Sequence, residues 1–107
     1  MAHYLIQFSY TADAIKALTT HPANRFDAVK TLADKFGAKI LNAYYAFGEY
    51  DGVILVEAPN NQTMSTIAMA AIAAGHLRNF KTTVLLTPEE AVGAMKTAGG
   101  VGYQAPR

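Results

Sequence analysis

The sequence contains no cysteine and no tryptophan, and only 16% of its 107 residues are charged. The lack of cysteine excludes disulfides, thiolate metal sites and a cysteine nucleophile. Nine basic and eight acidic residues leave a formal net charge of +1, and the basic residues form no run. Because a nucleic-acid-binding surface needs clustered positive charge, the composition predicts no nucleic-acid partner.

Long apolar runs are also missing. The longest, from Ile67 to Gly75, is far shorter than the roughly 20 residues needed to cross a bilayer. The chain enters a strand-like run at Tyr4, which leaves no room for a signal peptide before it. We therefore expect a cytoplasmic protein with no membrane partner.

Familiar catalytic and nucleotide-binding motifs are absent as well. The chain has no phosphate-binding glycine loop, no G-x-S-x-G elbow and no H-E-x-x-H motif. Its histidines, His3, His21 and His76, do not have the spacing of metal ligands. We expect neither a metal nor a cofactor.

Apolar residues, by contrast, are abundant and make up 51% of the chain. A chain of this length forms one domain with a modest core, so apolar surface should remain exposed on the folded monomer. We therefore expect a homodimer, or a higher oligomer built from dimers. Residues 1–98 should form the domain. The glycine-rich residues 99–107 should form a tail that lies on the partner subunit or is mobile.

Hydrophobic periodicity predicts four strands and three main helices. A two-residue period indicates strands at 4–10, 39–47, 52–58 and 81–86. Thr11, a suitable N-cap, indicates a short helix at 12–18. Spacings of three and four indicate a long helix at 22–36 with Pro22 in its first turn, and another that Asn60 or Asn61 caps and that runs through Ala74. Thr87-Pro88-Glu89-Glu90 has the residues of a capping box and predicts a terminal helix that fails at residues 99–100.

This order, β-α-β-β-α-β with a terminal helix, predicts an α+β ferredoxin-like fold with a four-stranded antiparallel sheet. Right-handed crossovers put both long helices on one face and leave the other face, here called the open face, uncovered. Its half-apolar character favours a sheet-on-sheet dimer interface, although a one-residue slip in register would exchange the two faces. The predicted open face comprises His3, Leu5, Gln7, Ser9, Val53, Leu55, Glu57, Lys81, Thr83, Leu85 and Thr87.

Two segments resemble the signature of the GYD-domain family. They are residues 47–59, FGEYDGVILVEAP, and residues 78–90, RNFKTTVLLTPEE, and the similarity covers about residues 3–92. The family resembles the dimeric α/β-barrel superfamily, which implies the same two-sheet dimer. It has no generally assigned reaction. The superfamily resemblance implies cofactor-independent isomerase or monooxygenase chemistry on small carbonyl or aromatic compounds.

Four side chains are candidates for catalysis. Tyr50 and Asp51, in a loop between two strands, could stand at a cavity mouth with Asp51 as the base. Alternatively, Tyr50 packs and Asp51 bonds loop amides. Glu57 interrupts an apolar strand, where a desolvated carboxylate could act as an acid or base; the alternative is an interface pair with Lys81 or His3. His3 is the fourth candidate because it shares a face with Glu57.

An aromatic ligand pocket is predicted between the sheet and the helices. Tyr44 and Tyr45 are adjacent on one strand, so that one faces inward, and Phe8 lies on the inner face of another strand. Lys81, with Arg78, could hold an anionic ligand. The same residues also fit ordinary packing and solvated charges. Two functions stay open: an enzyme acting on a small organic molecule, and a non-catalytic binding or assembly module.

Overall fold

The computed structural model describes residues 1–106, and a four-stranded antiparallel sheet lies at its centre. The strands lie side by side in the order β2-β3-β1-β4, which confirms the predicted ferredoxin-like fold. In chain order the elements are β1 (Ala2–Tyr10), α1 (Ala12–Thr20), α2 (Phe26–Lys35), β2 (Lys39–Tyr45), β3 (Gly52–Ala58), α3 (Asn61–Ala73), β4 (Leu77–Leu85) and α4 (Pro88–Gly99).

Strand β3 and β1 up to Phe8 have the alternating burial that their sequences predict, whereas Phe8, Ser9 and Tyr10 at the end of β1 are all buried. Ile6 pairs with Ile54 and Tyr4 with Val56, and all four side chains are buried. Leu5, which points to the other face, is only half-buried. The register therefore confirms the predicted faces of these residues. Ser9, which the sequence places on the open face, is instead fully buried, and its hydroxyl donates to the Glu49 carbonyl at 2.7 Å.

Helices α2 and α3 cover the inner face of the sheet. Ala33 on α2 and Met64 and Ile67 on α3 are buried against the strands. Burial of each of the larger side chains contributes about 1.5–3 kcal/mol to the free energy of unfolding. This packing leaves the open face of the sheet without a helix layer.

Side-chain caps fix the starts of three helices where the sequence predicts them. The Thr11 hydroxyl accepts from the Ala14 amide on α1, and Asn60 Oδ1 accepts from the Thr63 amide on α3 at 2.9 Å. At α4, Glu90 Oε1 accepts from the Thr87 amide at 2.9 Å and the Thr87 hydroxyl accepts from the Glu90 amide at 3.1 Å. The predicted capping box is confirmed.

Helix α2 begins at Phe26, four residues later than the sequence predicts. Pro22 lies outside the helix, so the proline signal at the predicted start was wrong. The Asn24 side chain accepts from the Phe26 amide at 3.1 Å, and Tyr45 Oη accepts from the Arg25 amide at 2.7 Å. The contact with Tyr45 ties the helix start to β2, and no local sequence signal reports it.

The two outer strands also differ from their predicted bounds. Strand β4 begins at Leu77 rather than residue 81, because residues 77–80 pair with the end of β1. Strand β2 ends at Tyr45 rather than residue 47, and its register shifts by one residue between Ile40 and Asn42. This irregularity turns Tyr45 to the inner face, opposite Gly52, and Tyr44 to the open face, opposite Val53.

Helix α4 contributes little to the core. None of its residues, all of which the structure describes, is buried, and Val92 and Met95 are exposed. The radius of gyration is 17.3 Å, compared with about 13 Å for an average domain of about this size. The predicted tail, residues 99–107, ends on a residue outside those described, and its place on a partner subunit stays a prediction. No described helix has both the length and the apolarity that a membrane crossing requires.

Candidate functional site

A cavity of about 220 Å³ lies between the inner face of the sheet and helices α2 and α3. Its walls are almost entirely apolar, and both aromatic and aliphatic side chains contribute. Among them are Ile6, Phe8, Val56 and Phe80 from the sheet, Val29 and Leu32 from α2, and Met64 and Ile67 from α3. Concave, largely apolar spaces of this kind are the usual sites of small-ligand binding.

Alanines occupy five of the positions that line the cavity from the helix side, and three of them, Ala28, Ala70 and Ala74, are exposed to solvent. Ala28 and Ala33 line it from α2, and Ala70, Ala71 and Ala74 line it from the α3 side. Protein interiors are normally filled to the density of organic crystals, so small side chains at the buried Ala33 and the half-buried Ala71 leave unfilled space. A methyl group at each of these two positions leaves the space between the two helices and the sheet open.

Three polar side chains, Tyr10, Arg25 and His76, line this cavity and also a second one beside it, which places them at the end where the two adjoin. Tyr10 is buried, whereas Arg25 and His76 are exposed. These three are the only polar side chains among the described lining residues. The Arg25 amide donates to Tyr45 Oη, which fixes the backbone at Arg25. The His76 carbonyl accepts from the Thr11 amide at 2.9 Å, which fixes the backbone at His76. The backbone around all three is therefore fixed by hydrogen bonds or by the sheet.

A second cavity of about 290 Å³, between α1 and residues 21–25, meets the first at this polar end. Tyr10, Arg25 and His76 line both cavities. A molecule held in the apolar cavity would therefore reach these three groups at the point where the site opens towards α1.

Tyr10 is a neutral hydrogen-bond donor at this junction. Burial raises the pKa of Tyr10 to about 12, and the neighbouring Tyr45 adds to the rise while Arg25 opposes it. The ring is fixed by an edge contact with Phe8, with the two centroids 5.3 Å apart. The phenol therefore keeps its proton at neutral pH and brings no negative charge to the site.

Asp51, a predicted catalytic residue, is held by the backbone of β1. Its Oδ2 accepts from the Tyr10 amide at 2.8 Å, and its own amide donates to the Phe8 carbonyl at 2.8 Å. The half-buried Tyr50 precedes it in the loop. Neither residue lines the apolar cavity. The Asp51 carboxylate thus bonds an amide of β1 rather than an amide of its own loop, and a catalytic role stays a proposal.

His3 and Glu57 lie on the open face, on the opposite side of the sheet from the cavity. They are register partners on β1 and β3, and Lys39 on β2 is the next residue in the row beyond Glu57. His3 Nδ1 is buried without a hydrogen-bond partner among the described residues. Lys81, the other predicted partner of Glu57, is opposite Gln7, in a different row of the sheet.

The residues predicted to form the ligand pocket are divided between the two faces. Phe8 lines the cavity, and Tyr45 stacks on Phe26 with the centroids 4.4 Å apart, beside the start of α2. Tyr44 and Lys81 lie on the open face and do not line the cavity.

Sequence reasoning did not select Arg25 and His76, which the structure brings together. The sequence did carry one signal for the cavity, namely the alanine-rich stretch of α3 at residues 68–74. Alanines on the buried side of a helix leave space against a sheet unless larger residues opposite them fill it.

A model of the GYD domain matches residues 4–95. The chain belongs to the GYD-domain family. No curated protein sequence matches it. Among the described residues, no three histidine, aspartate or glutamate side chains converge as a metal site would require.

Several solved structures share the fold of this GYD-domain chain. TTHA0845 from Thermus thermophilus is 14% identical with a TM-score of 0.53, and the match covers 81% of this chain and 95% of that one. The hypothetical protein PHS023 from Pyrococcus horikoshii is 16% identical with a TM-score of 0.52, over 81% and 92% of the two chains. The transcriptional regulator NMB0573 from Neisseria meningitidis, crystallised as a complex with L-Met, is 14% identical with a TM-score of 0.55. That match covers 81% of this chain and 51% of the regulator.

Proposed function

We propose that this GYD-domain chain binds a small, largely apolar organic molecule in the cavity between the sheet, α2 and α3. The observation that carries the proposal is the cavity itself, about 220 Å³ of apolar space with polar groups at one end only. Its volume is below the roughly 300–1,000 Å³ typical of sites for drug-sized ligands, so the molecule should be small.

The wider fold is compatible with such a role. The regulator from Neisseria meningitidis shares the fold and was crystallised with L-Met. At 14% identity this likeness concerns the fold alone, so the ligand of that protein does not identify the ligand of this one.

The direct test is a titration of ¹⁵N-labelled protein with toluene, followed by amide chemical shifts. Toluene should shift the amides of Met64, Ile67 and other lining residues in a saturable manner. Ala71→Leu places a larger side chain in the cavity and should abolish the shifts. Ala73→Leu on the same helix lies outside the lining and should leave them intact. If toluene shifts no lining amide, or if Ala71→Leu binds as well as the wild type, the proposal fails.

We also propose that the chain works as a homodimer that pairs the open faces of two sheets. Leu5, Val53 and Leu55 form a half-exposed apolar centre on this face, with His3 and Glu57 at one end. Interfaces of this kind combine an apolar core with a few polar groups, and an uncovered sheet face of this composition is poorly suited to water.

Sedimentation analysis of two matched variants tests the dimer. Leu55→Lys puts an unpaired charge in the centre of the open face and should give monomers. Val84→Lys makes the same change at an exposed position on the other face, and it should remain dimeric. A monomeric wild type would contradict this assembly.

A catalytic role is a second proposal, favoured by the pairing of His3 with Glu57. His3 Nδ1, which has no hydrogen-bond partner in residues 1–106, and a carboxylate on the adjacent strand are a combination that could move a proton. Asp51 and Tyr50 would then act from their loop. Turnover of small aromatic and carbonyl compounds should fall at least about tenfold in Glu57→Gln or His3→Gln. Unchanged turnover in those variants and in Asp51→Asn would end the catalytic hypothesis.

A further inference from the structure

The cavity is polar at one end only, and its polar side chains are all potential donors. Arg25 carries a permanent positive charge and up to five N–H donors, and the His76 imidazole carries a further ring N–H. Tyr10 keeps its O–H proton, which is shared with the side chain of Tyr45. No carboxylate lines the cavity among the described residues. The composition of this end is therefore complementary to negative charge.

The nearby anionic and polar groups are already engaged. Asp51, the carboxylate close to Tyr10, accepts from the Tyr10 amide. The first amides of α2 are also satisfied, since Phe26 donates to Asn24 Oδ1, and Asp27 donates to the Asn24 carbonyl. An anion at this end would therefore be recognised by side chains, above all by the guanidinium of Arg25.

We propose that the natural ligand is a small apolar carboxylate, with its hydrocarbon part in the cavity and its carboxylate group on Arg25, Tyr10 and His76. This inference rests on the proposed ligand-binding function and names the chemical class of the ligand. Arg25 pairs well with carboxylates because its planar fork can donate two parallel hydrogen bonds. The apolar walls supply affinity by removing the rest of the molecule from water.

This assignment differs from the anion site that the sequence suggests at Arg78 and Lys81. Both residues lie on β4 and neither lines the cavity. Arg25, at the start of α2, is the arginine that the structure brings to the apolar site. The carboxylate assignment therefore depends on Arg25, the cationic side chain that lines the apolar cavity.

The test compares phenylacetate with phenylacetamide, which has nearly the same shape and no charge. In calorimetric or NMR titrations of the wild type, phenylacetate should bind about tenfold more tightly or better, because charge-assisted hydrogen bonds are the stronger ones. Arg25→Gln should remove this preference while leaving the affinity for phenylacetamide nearly unchanged. Arg78→Gln, the same substitution outside the cavity, should preserve the preference.

The outcomes separate this inference from the proposed function. Equal affinity for the acid and the amide in the wild type, with saturable binding of both, would overturn the carboxylate assignment and leave the cavity as a binding site. A preference that survives in Arg25→Gln would also overturn it. Failure of toluene, the acid and the amide alike would reject the binding function itself.

Discussion

The ring of Phe8 lies directly over the backbone of Gly52, its neighbour across the β1–β3 pair. A Cβ atom at position 52 would come within 2.3 Å of Phe8 Cζ, a separation that real Cβ atoms do not show. The contact buries Phe8 and explains why β3 starts with a residue that has no side chain. It also links the loop that holds Tyr50 and Asp51 to the cavity, because Phe8 lines that cavity.

Gly52→Ala should lower the free energy of unfolding by about 1–3 kcal/mol, the typical cost of overpacking. Urea denaturation of the purified protein measures it. Gly93→Ala is the control, since its added Cβ meets open space on α4 and should cause no loss. A Gly52→Ala variant as stable as the wild type would mean that the ring of Phe8 moves aside freely.

Substitutions of Asp51 should separate a structural from a catalytic role. Asp51→Ala removes the acceptor for the Tyr10 amide and should cost about 1–3 kcal/mol of stability. Asp51→Asn keeps an acceptor oxygen and should cost clearly less. The same urea measurement applies to both variants, and equal losses would show that the negative charge, rather than the hydrogen bond, stabilises the loop.

Tyr10 should make the free energy of unfolding depend on pH in the alkaline range. Its folded pKa of about 12 lies above the ordinary value of 10.0, so the unfolded chain loses this proton first. The stability from neutral Tyr10 is therefore complete below pH 10.0 and declines as the pH rises through about 12. Urea unfolding across this pH range should show that the free energy of unfolding falls more steeply in the wild type than in Tyr10→Phe. Tyr44→Phe, at an exposed position, should follow the wild type.

Glu90 should make the start of α4 sensitive to acid. Hydrogen bonds from the Thr87 backbone and then from its side chain lower the pKa of Glu90 below its usual value of 4.5. Since the folded pKa is depressed, the capping contribution is present above pH 4.5 and is lost as the pH falls through the folded pKa. ¹³Cα shifts should show the first turn of α4 losing helicity there, whereas Glu90→Gln should show a much weaker pH dependence. Identical titration of the two proteins would contradict the prediction.

Local signals predicted most of the fold correctly because they act over short distances. The capping box at Thr87 and Glu90 appears as expected, and β3 has its predicted bounds, 52–58. The start of α2 could not be found this way, because Tyr45 fixes Arg25 from 20 residues away. Similarly, residues 77–80 become a strand only by pairing with the end of β1.

The candidate site was harder to predict than the fold, for geometric reasons. The irregularity between Ile40 and Asn42 decides which of Tyr44 and Tyr45 faces the helices, and the pattern of the strand does not show it. Arg25 and His76 are 51 positions apart in the sequence numbering and line the same cavities only because α2 and α3 cover the same face. The sequence did predict that Phe8 faces inward and that His3 and Glu57 share the open face.

The strand order β2-β3-β1-β4 has a consequence for the newly made chain. β1, the first of these four strands to be synthesised, is a central strand of the sheet, and one of its two partners, β4, ends only at Leu85. The β2–β3 hairpin is local and can form early, but β1 must wait for most of the chain before both of its edges are paired. During synthesis, the strand around Ile6 therefore has an unpaired edge that can form hydrogen bonds with other chains. A chain truncated before Leu77 would keep this edge unpaired.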